Sequence, residues 1–367
     1  MGVKQVDEGL LFRTKRKTLL GLDIGSAVVK LVELDAAGRK IVVRTAMQSA
    51  IEEPADPLGD DGFDGAAAAA KYCLQAGRAS GRKAACAVGG PEVAVRRFAF
   101  DSLEPEELAQ AVRLEAAQSC PFDIDKSVVS YHVVEEGAKK GLRKRAAGYK
   151  GILVAASNGQ VHQKERIADA AGMDCVVVDA EGLALLNCLE GCRRTPRDGT
   201  VVVVNVGSRY TNMVVTAPGT IPYMRDLPHA AGRIVHEIAA ATGDSPAEIL
   251  SVLRCQPANS KGRRLIEPQF VLACERLAQE IEDTVRFCQA EDKLPPVDEM
   301  LVCGGFALID GFVCELTERV AARCELWNPF ADLECSRMAQ SLDLMERGPA
   351  FAIATGLAMR CMGDVYN

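Results

Sequence analysis

Two short segments of this chain repeat one pattern, and the repetition constrains the fold more than any other feature. In TLLGLDIGSAVVKLVEL, from Thr18, the stretch Leu22-Asp23-Ile24-Gly25-Ser26 ends one apolar run and opens another. In VVVVNVGSRYTNMVVT, Asn205-Val206-Gly207-Ser208 does the same. Each reads as strand, glycine turn, strand. Gly25 and Gly207 permit a tight turn and leave the backbone unshielded, and the small hydroxyl residues Ser26, Ser208 and Thr211 follow. Facing turns of this type aim several backbone N–H groups at one anion, which suits a polyphosphate. Lys30 lies just beyond the first turn. Asp23, at the strand end, is a hard oxygen ligand suited to Mg²⁺ through water. A third glycine signal stands in LVCGGFALIDGF, where a buried strand ends at Gly304-Gly305 and missing side chains let a base or ribose approach the backbone. One such turn is an ordinary hairpin; two at matching positions with a third signal define a candidate nucleotide site.

The remaining pattern organises around that duplication. At 367 residues the chain exceeds one ordinary core, so two lobes are expected. Residues 1–17 read as a polar tail. Residues 18–83 and 156–198 form a first lobe, 84–155 an inserted module, and 199–362 a second lobe with a smaller subdomain at about 232–295. Within the insertion, Ser102 to Gln118 reads as a helix, a break follows at Cys120-Pro121-Phe122-Asp123, and Ser127 to Val134 alternates like a strand. The basic stretch Lys139 to Lys150 reads as a solvated hairpin loop. From Gly151 the order becomes β-α-β-α, which argues for an α/β layered architecture. In the second half a long helix is expected over Phe270 to Ala290, and a terminal one over Ala350 to Met362.

Composition excludes several classes. The net charge of −7 argues against a general nucleic-acid binder, because a phosphate backbone selects a basic surface. The fourteen cysteines include no C-x-x-C pair and no Cys/His cluster at zinc spacing, so they read as reduced core thiols. No apolar stretch nears the roughly 20 residues that span a bilayer. The cluster Arg13 to Lys17 lacks the apolar region of a signal peptide.

Together the three glycine segments resemble the phosphate 1, phosphate 2 and adenosine motifs of the actin-like ATPase superfamily. Within it the chain resembles the PilM-like branch. That likeness rests on LGLDIGSAVVKLVEL, on Glu115-Ala116-Ala117-Gln118 through Pro121-Phe122, and on VVVDAEGLALLN, ELWNPF and AIATGLAMR. It spans about residues 18 to 362. The resemblance implies two lobes, each with a ribonuclease H-like βαβ core, and an FtsA/PilM-type inserted subdomain. It implies ATP and Mg²⁺ as cofactors, held by Gly25, Ser26, Lys30, Asn205, Gly207, Ser208, Thr211, Gly232, Gly304 and Gly305, with Asp23 toward the metal. Three positions depart from the pattern: Asn205 stands where an aspartate is usual, His229-Ala230-Ala231-Gly232 keeps one glycine of a pair, and Asp310 replaces a common proline. Losing the carboxylate at 205 implies nucleotide binding with hydrolysis weak or absent. Asp179 and Glu181 are candidates for positioning water, and each reads equally as a buried structural carboxylate or a helix cap.

The resemblance further implies a cytoplasmic bacterial adaptor in type IV pilus or related secretion assembly. Such a protein sits at the inner membrane by gripping the N-terminal tail of a PilN-like single-span protein, without inserting itself, alongside other assembly proteins. Phe122, Val128 and Tyr131 are the candidate tail surface, and local core is their plainer reading. A nucleotide-free scaffold is the alternative. A small-molecule kinase lacks an identifiable aspartate base, and an FtsA-like filament former would be expected to carry a membrane helix beyond Asn367.

Overall fold

The computed structural model describes residues 19–37, 40–52, 62–136, 147–192, 194–336, 339, 344–360 and 362. The basic cluster Arg13 to Lys17, most of the basic stretch from Lys139, and Asn367 lie outside these residues.

Two sheets carry the two lobes. The first is built from β1 (Leu20–Ile24), β2 (Val28–Ala37), β3 (Lys40–Ala50), β4 (Lys83–Val88), β8 (Asp174–Ala180) and β14 (Glu334–Cys335), in the order β14-β3-β2-β1-β4-β8. The second contains β9 (Thr200–Val206), β10 (Thr211–Thr216), β11 (Tyr223–Leu227), β12 (Val297–Cys303) and β13 (Arg323–Leu326), in the order β11-β10-β9-β12-β13. Every residue of β1, β9 and β10 is buried, as expected of strands covered on both faces.

Five layers follow from that burial. Helices α1 (Phe63–Ala76) and α3 (Asn158–Ala170) cover the outer face of the first sheet, where Leu20, Leu22, Val29 and Leu31 meet the alanine face of α1. Helices α5 (Ala231–Thr242), α6 (Pro246–Cys255), α7 (Lys261–Asp292) and α8 (Phe312–Thr317) cover the outer face of the second. Between the sheets lie α4 (Glu181–Gly191) and the terminal helix Ala352–Met359. Their side chains share one core with Val32, Leu34 and Val43 on one side and Val201, Val203, Val214 and Leu301 on the other. Two glycines make the middle layer possible. A Cβ on Gly21 would fall 1.8 Å from the Ala354 carbonyl oxygen, and one on Gly356 would fall 1.7 Å from that of Ala184. The terminal helix therefore touches β1 and α4 backbone to backbone.

The inserted module is a three-stranded antiparallel sheet in the order β5-β7-β6, built from β5 (Val93–Leu103), β6 (Ser127–Glu136) and β7 (Ala147–Ser157). Helix α2 (Leu108–Ser119) packs on one face, against Phe98, Leu153 and Ala155. The other face leans toward the second lobe. There Arg97 pairs with Asp292, lies 3.4 Å from Glu291, and stacks 5.6 Å from the Tyr223 ring centroid.

Three expectations need correction. The strand expected at 84–88 to open the insertion is β4, and it lies inside the first sheet between β1 and β8. The segment expected wholly in the second lobe sends β14 back to pair with β3 and lays its terminal helix between the lobes. The long helix begins at Lys261 rather than near Phe270, because Ser260 caps it by accepting from Arg263 N at 3.2 Å. Pro268 sits inside that helix despite its missing donor. The turn around it is held by buried Ile266 and Phe270, with the Arg263 guanidinium 3.8 Å from the Phe270 ring centroid. Along this helix Leu272 and Phe287 are about half exposed. Cys73, Cys86, Cys188, Cys192, Cys274, Cys288 and Cys303 are buried, unbridged thiols. No helix among those residues is long and apolar enough to cross a membrane.

Candidate functional site

The two glycine hairpins share one frame. In the first, Gly25 N donates to the Val28 carbonyl at 3.2 Å, and in the second Gly207 N donates to the Tyr210 carbonyl at 3.1 Å. A Cβ on Gly25 would meet that acceptor at 2.9 Å, and one on Gly207 would meet its own at 2.8 Å. The tips, Ser26-Ala27 and Ser208-Arg209, are exposed. The strand-end residue of each hairpin faces its cross-strand partner: Asp23 opposite Lys30, Asn205 opposite Asn212. Lys30 Nζ lies 2.8 Å from Asp23 Oδ2, and Asn205 Nδ2 donates to Asn212 Oδ1 at 2.8 Å.

Polar groups from both lobes converge between them. Asn212 Nδ2 donates to Glu181 Oε2 at 2.8 Å, from the start of α4, and to Asp226 Oδ1 at 2.9 Å, on β11. The other oxygen of Asp226 accepts from Gly90 N at 2.7 Å, in the turn leaving β4. Gly89 and Gly90 admit this approach. A Cβ on Gly89 would fall 2.4 Å from Glu181 Oε2, and one on Gly90 would fall 2.5 Å from the Tyr210 ring. Burial pushes the Glu181 carboxyl up to about 7, and the neighbouring charges of Asp23 and Asp226 act in the same direction. Lys164, whose Nζ donates to the Ile24 carbonyl, and the Asn212 amide oppose that shift. Burial also raises Asp226, opposed by its bonds from Asn212 and Gly90.

At the third glycine signal, Gly304 takes φ 97°, and a Cβ there would fall 2.5 Å from the Val206 carbonyl oxygen. Gly305 is exposed, and apart from its own chain neighbours no atom lies within 4 Å of where its Cβ would stand. Open space beside bare backbone is what a flat base or ribose needs, so the residues present fit a nucleotide.

The candidate residues divide by what their polar groups already do. Ser26, Ser208 and Gly305 are exposed. Thr211 is fully buried, and its hydroxyl donates to the His229 carbonyl at 2.7 Å. Gly232 N donates to the Ser208 carbonyl at 2.8 Å, bracing the second hairpin. The two carboxylates separate: Glu181 joins the cluster, while Asp179 is buried, pairs with Arg360 at 2.8 Å and accepts from its neighbour Ala180 N. Phe122, Val128 and Tyr131 do not form one surface. Phe122 and Tyr131 lie on the α2 side of the inserted sheet, with Tyr131 6.3 Å from the Phe98 ring. Val128 is 47% exposed on the opposite face. A cavity of about 540 Å³ beside Phe122 is lined also by Arg113, Leu114, Ala117 and Ile124.

Sequence reasoning missed Lys164, Asn212, Asp226 and the Gly89-Gly90 turn. Asn212 left a signal, because the hairpin register sets it opposite Asn205, as Lys30 stands opposite Asp23. Lys164 left none, since its helix reaches the first hairpin only through the tertiary fold.

Comparison with known proteins adds the following. A family model described as type IV pilus assembly protein PilM matches residues 21–362. A solved structure of a PilM-PilN type IV pilus biogenesis complex aligns at TM-score 0.78 and 24% identity, covering 95% of this chain and 99% of that one. The ethanolamine utilization protein EutJ from Carboxydothermus hydrogenoformans aligns at 0.53 and 14%, covering 94% and 90%. A diol dehydratase-reactivating factor in nucleotide-free form aligns at 0.51 and 9%, covering 93% and 99%.

Proposed function

This chain belongs to the PilM family of type IV pilus assembly proteins and has the actin-like ATPase fold, and from that premise we propose that it is an ATP-binding adaptor of a pilus or related secretion assembly. The observation that carries the nucleotide part is the matched pair of glycine hairpins, with the open backbone at Gly305 between the same lobes. The exposed tips Ser26-Ala27 and Ser208-Arg209 would receive the phosphates. Asp23 would face Mg²⁺ through water, and Gly304-Gly305 would lie under the base or ribose. When bound, the metal and nucleotide supply charge that both lobes answer. Hydrolysis has less support, because position 205 contributes an amide and the carboxylates of the cluster, Glu181 and Asp226, are already engaged by Asn212.

The partner in this reading is the cytoplasmic tail of a PilN-like inner-membrane protein, which would hold the adaptor on the cytoplasmic side. The solved complex of a PilM with a PilN supports that assignment. Strand β6 is one of the two edges of the inserted sheet, and an extended peptide pairing there would gain main-chain hydrogen bonds.

A nucleotide-free scaffold is the second reading. Its specific support is that hydrogen bonds across the cleft, Asn212 to Glu181 and Gly90 to Asp226, already join the lobes. Calorimetry with ATP and Mg²⁺ on the wild type and on Asp23→Ala separates the two. Saturable binding that weakens at least tenfold in the variant supports the adaptor with a nucleotide site. A folded wild type that binds neither ATP nor ADP leaves the scaffold.

A further inference from the structure

Strands β12, β9, β10 and β11 bring Cys303, Asn205, Asn212 and Asp226 into one transverse row. Hydrogen bonds run along it in a single direction. Cys303 Sγ donates to Asn205 Oδ1 at 3.8 Å, Asn205 Nδ2 to Asn212 Oδ1 at 2.8 Å, and Asn212 Nδ2 to both Asp226 and Glu181. The direction has a cause. An ionised carboxylate only accepts, so above about pH 7, once Glu181 has given up its proton, the two at one end oblige Asn212 to present its NH₂ there and its oxygen toward position 205. Asn205 and Asn212 are 6% and 2% exposed, which leaves little room for water to reconcile a mismatch.

We propose that Asn205 is a positioning residue: its amide, acting as a donor, sets the orientation of Asn212 and so holds the Glu181 carboxylate in place between the lobes. An aspartate at 205 would set an acceptor against the Asn212 oxygen. Either the new acid takes up a proton, or Asn212 turns over and points its carbonyl at Glu181 and Asp226. The amide is thus required by the row and is not a weakened remnant of an acid. Its consequence for a bound nucleotide, that the metal depends on Asp23 without a carboxylate from the second hairpin, rests on the proposed function. The row itself does not.

The test, run at pH 8 where Glu181 is ionised, introduces Asn205→Asp into two backgrounds, the wild type and Glu181→Gln with Asp226→Asn. In the second, both groups at the Asn212 end of the row are amides that can face a reversed Asn212. In the wild type the substitution is expected to lower the melting temperature of the full chain by about 5 °C. In the amide background the drop should be under about 2 °C. Equal drops in the two backgrounds would mean that residue 205 serves packing alone, and the proposal is overturned. Should Asn205→Asp alone yield no soluble protein, recovery of soluble, melting protein in the triple variant supports the row, and continued failure overturns it. No nucleotide enters the assay, so absent ATP binding would defeat the proposed function while leaving this result standing.

Discussion

In the first hairpin Asp23 faces Lys30, and in the second Asn205 faces Asn212 at the same step of the ladder. The turns close through the same hydrogen bond and exclude a Cβ to nearly the same degree. Only the chemistry of the pair differs: opposite charges in one lobe, two neutral amides in the other. The geometry of a tight turn depends on the glycine and its closing bond, so it survives a change of the paired side chains. What those side chains can offer a ligand does not survive it. The first hairpin can present a formal charge to a cation, whereas the second can only relay a hydrogen-bond direction to Glu181 and Asp226.

The comparison breaks most forcefully at Asp23. Asp23→Ala leaves Lys30, with only 15% of its side chain exposed, lacking its 2.8 Å partner. A loss of about 3 kcal/mol is expected in urea unfolding, the scale of stranding one member of a largely buried pair. A loss under about 0.5 kcal/mol, the size of a surface pair, would place the ion pair effectively in solvent.

A smaller effect belongs to Glu181, where the second hairpin meets the first lobe. The folded chain holds the proton of this carboxyl up to about 7, against an ordinary 4.5, so it binds more protons than the unfolded chain across that window. Stability should therefore fall as pH rises from about 4.5 to about 7, by a few kcal/mol at most. Glu181→Gln should flatten this part of the pH profile and leave the protein more stable than wild type at pH 8. Melting curves at half-unit pH steps read it, and an unchanged slope in the variant would assign the dependence elsewhere.

The smallest expected difference sharpens the shared part of the frame. Gly25→Ala and Gly207→Ala each push a methyl against the carbonyl that closes the turn, at 2.9 and 2.8 Å. Each should cost about 1–3 kcal/mol, the two values agreeing within about 0.5 kcal/mol. A wide gap in chemical denaturation would show that one turn yields and the other does not.

The hairpins were legible because everything that makes them is contiguous in the chain: an apolar run, a glycine, a second run. The same locality made Asp23 readable as a candidate ligand and Asn205 as a departure. Thr211 was misleading, since a threonine after a glycine turn looks available, and only the packed loop at His229 shows its hydroxyl occupied. Asp179 and Glu181 could not be ranked from their order alone. Strand β8 ends at Ala180, and the residues on either side of that boundary meet different neighbours, Arg360 for one and Asn212 for the other. Asp226, Lys164 and the Gly89-Gly90 turn come from separate parts of the chain. So does β14, two residues long, whose strand state exists only because β3 offers an edge. Contacts of that kind follow from the assembled fold, and no local period announces them.

The helix Ala352–Met359 sits between the sheets, against β1 on one side and α4 on the other. During synthesis the chain emerges from its N-terminal end at about 5–20 residues per second. Leu20 to Val43 are therefore made long before the segment that covers their inner face. Until that late segment arrives, α4 is the one helix of the middle layer already made, so the inner face of Val32, Leu34 and Val43 stays incompletely covered and the part of the protein made first is among the last to be sealed. For a newborn chain this means tens of seconds with an open apolar face. The order of manufacture, and not only the final arrangement, then selects for whatever keeps that face from sticking to its neighbours.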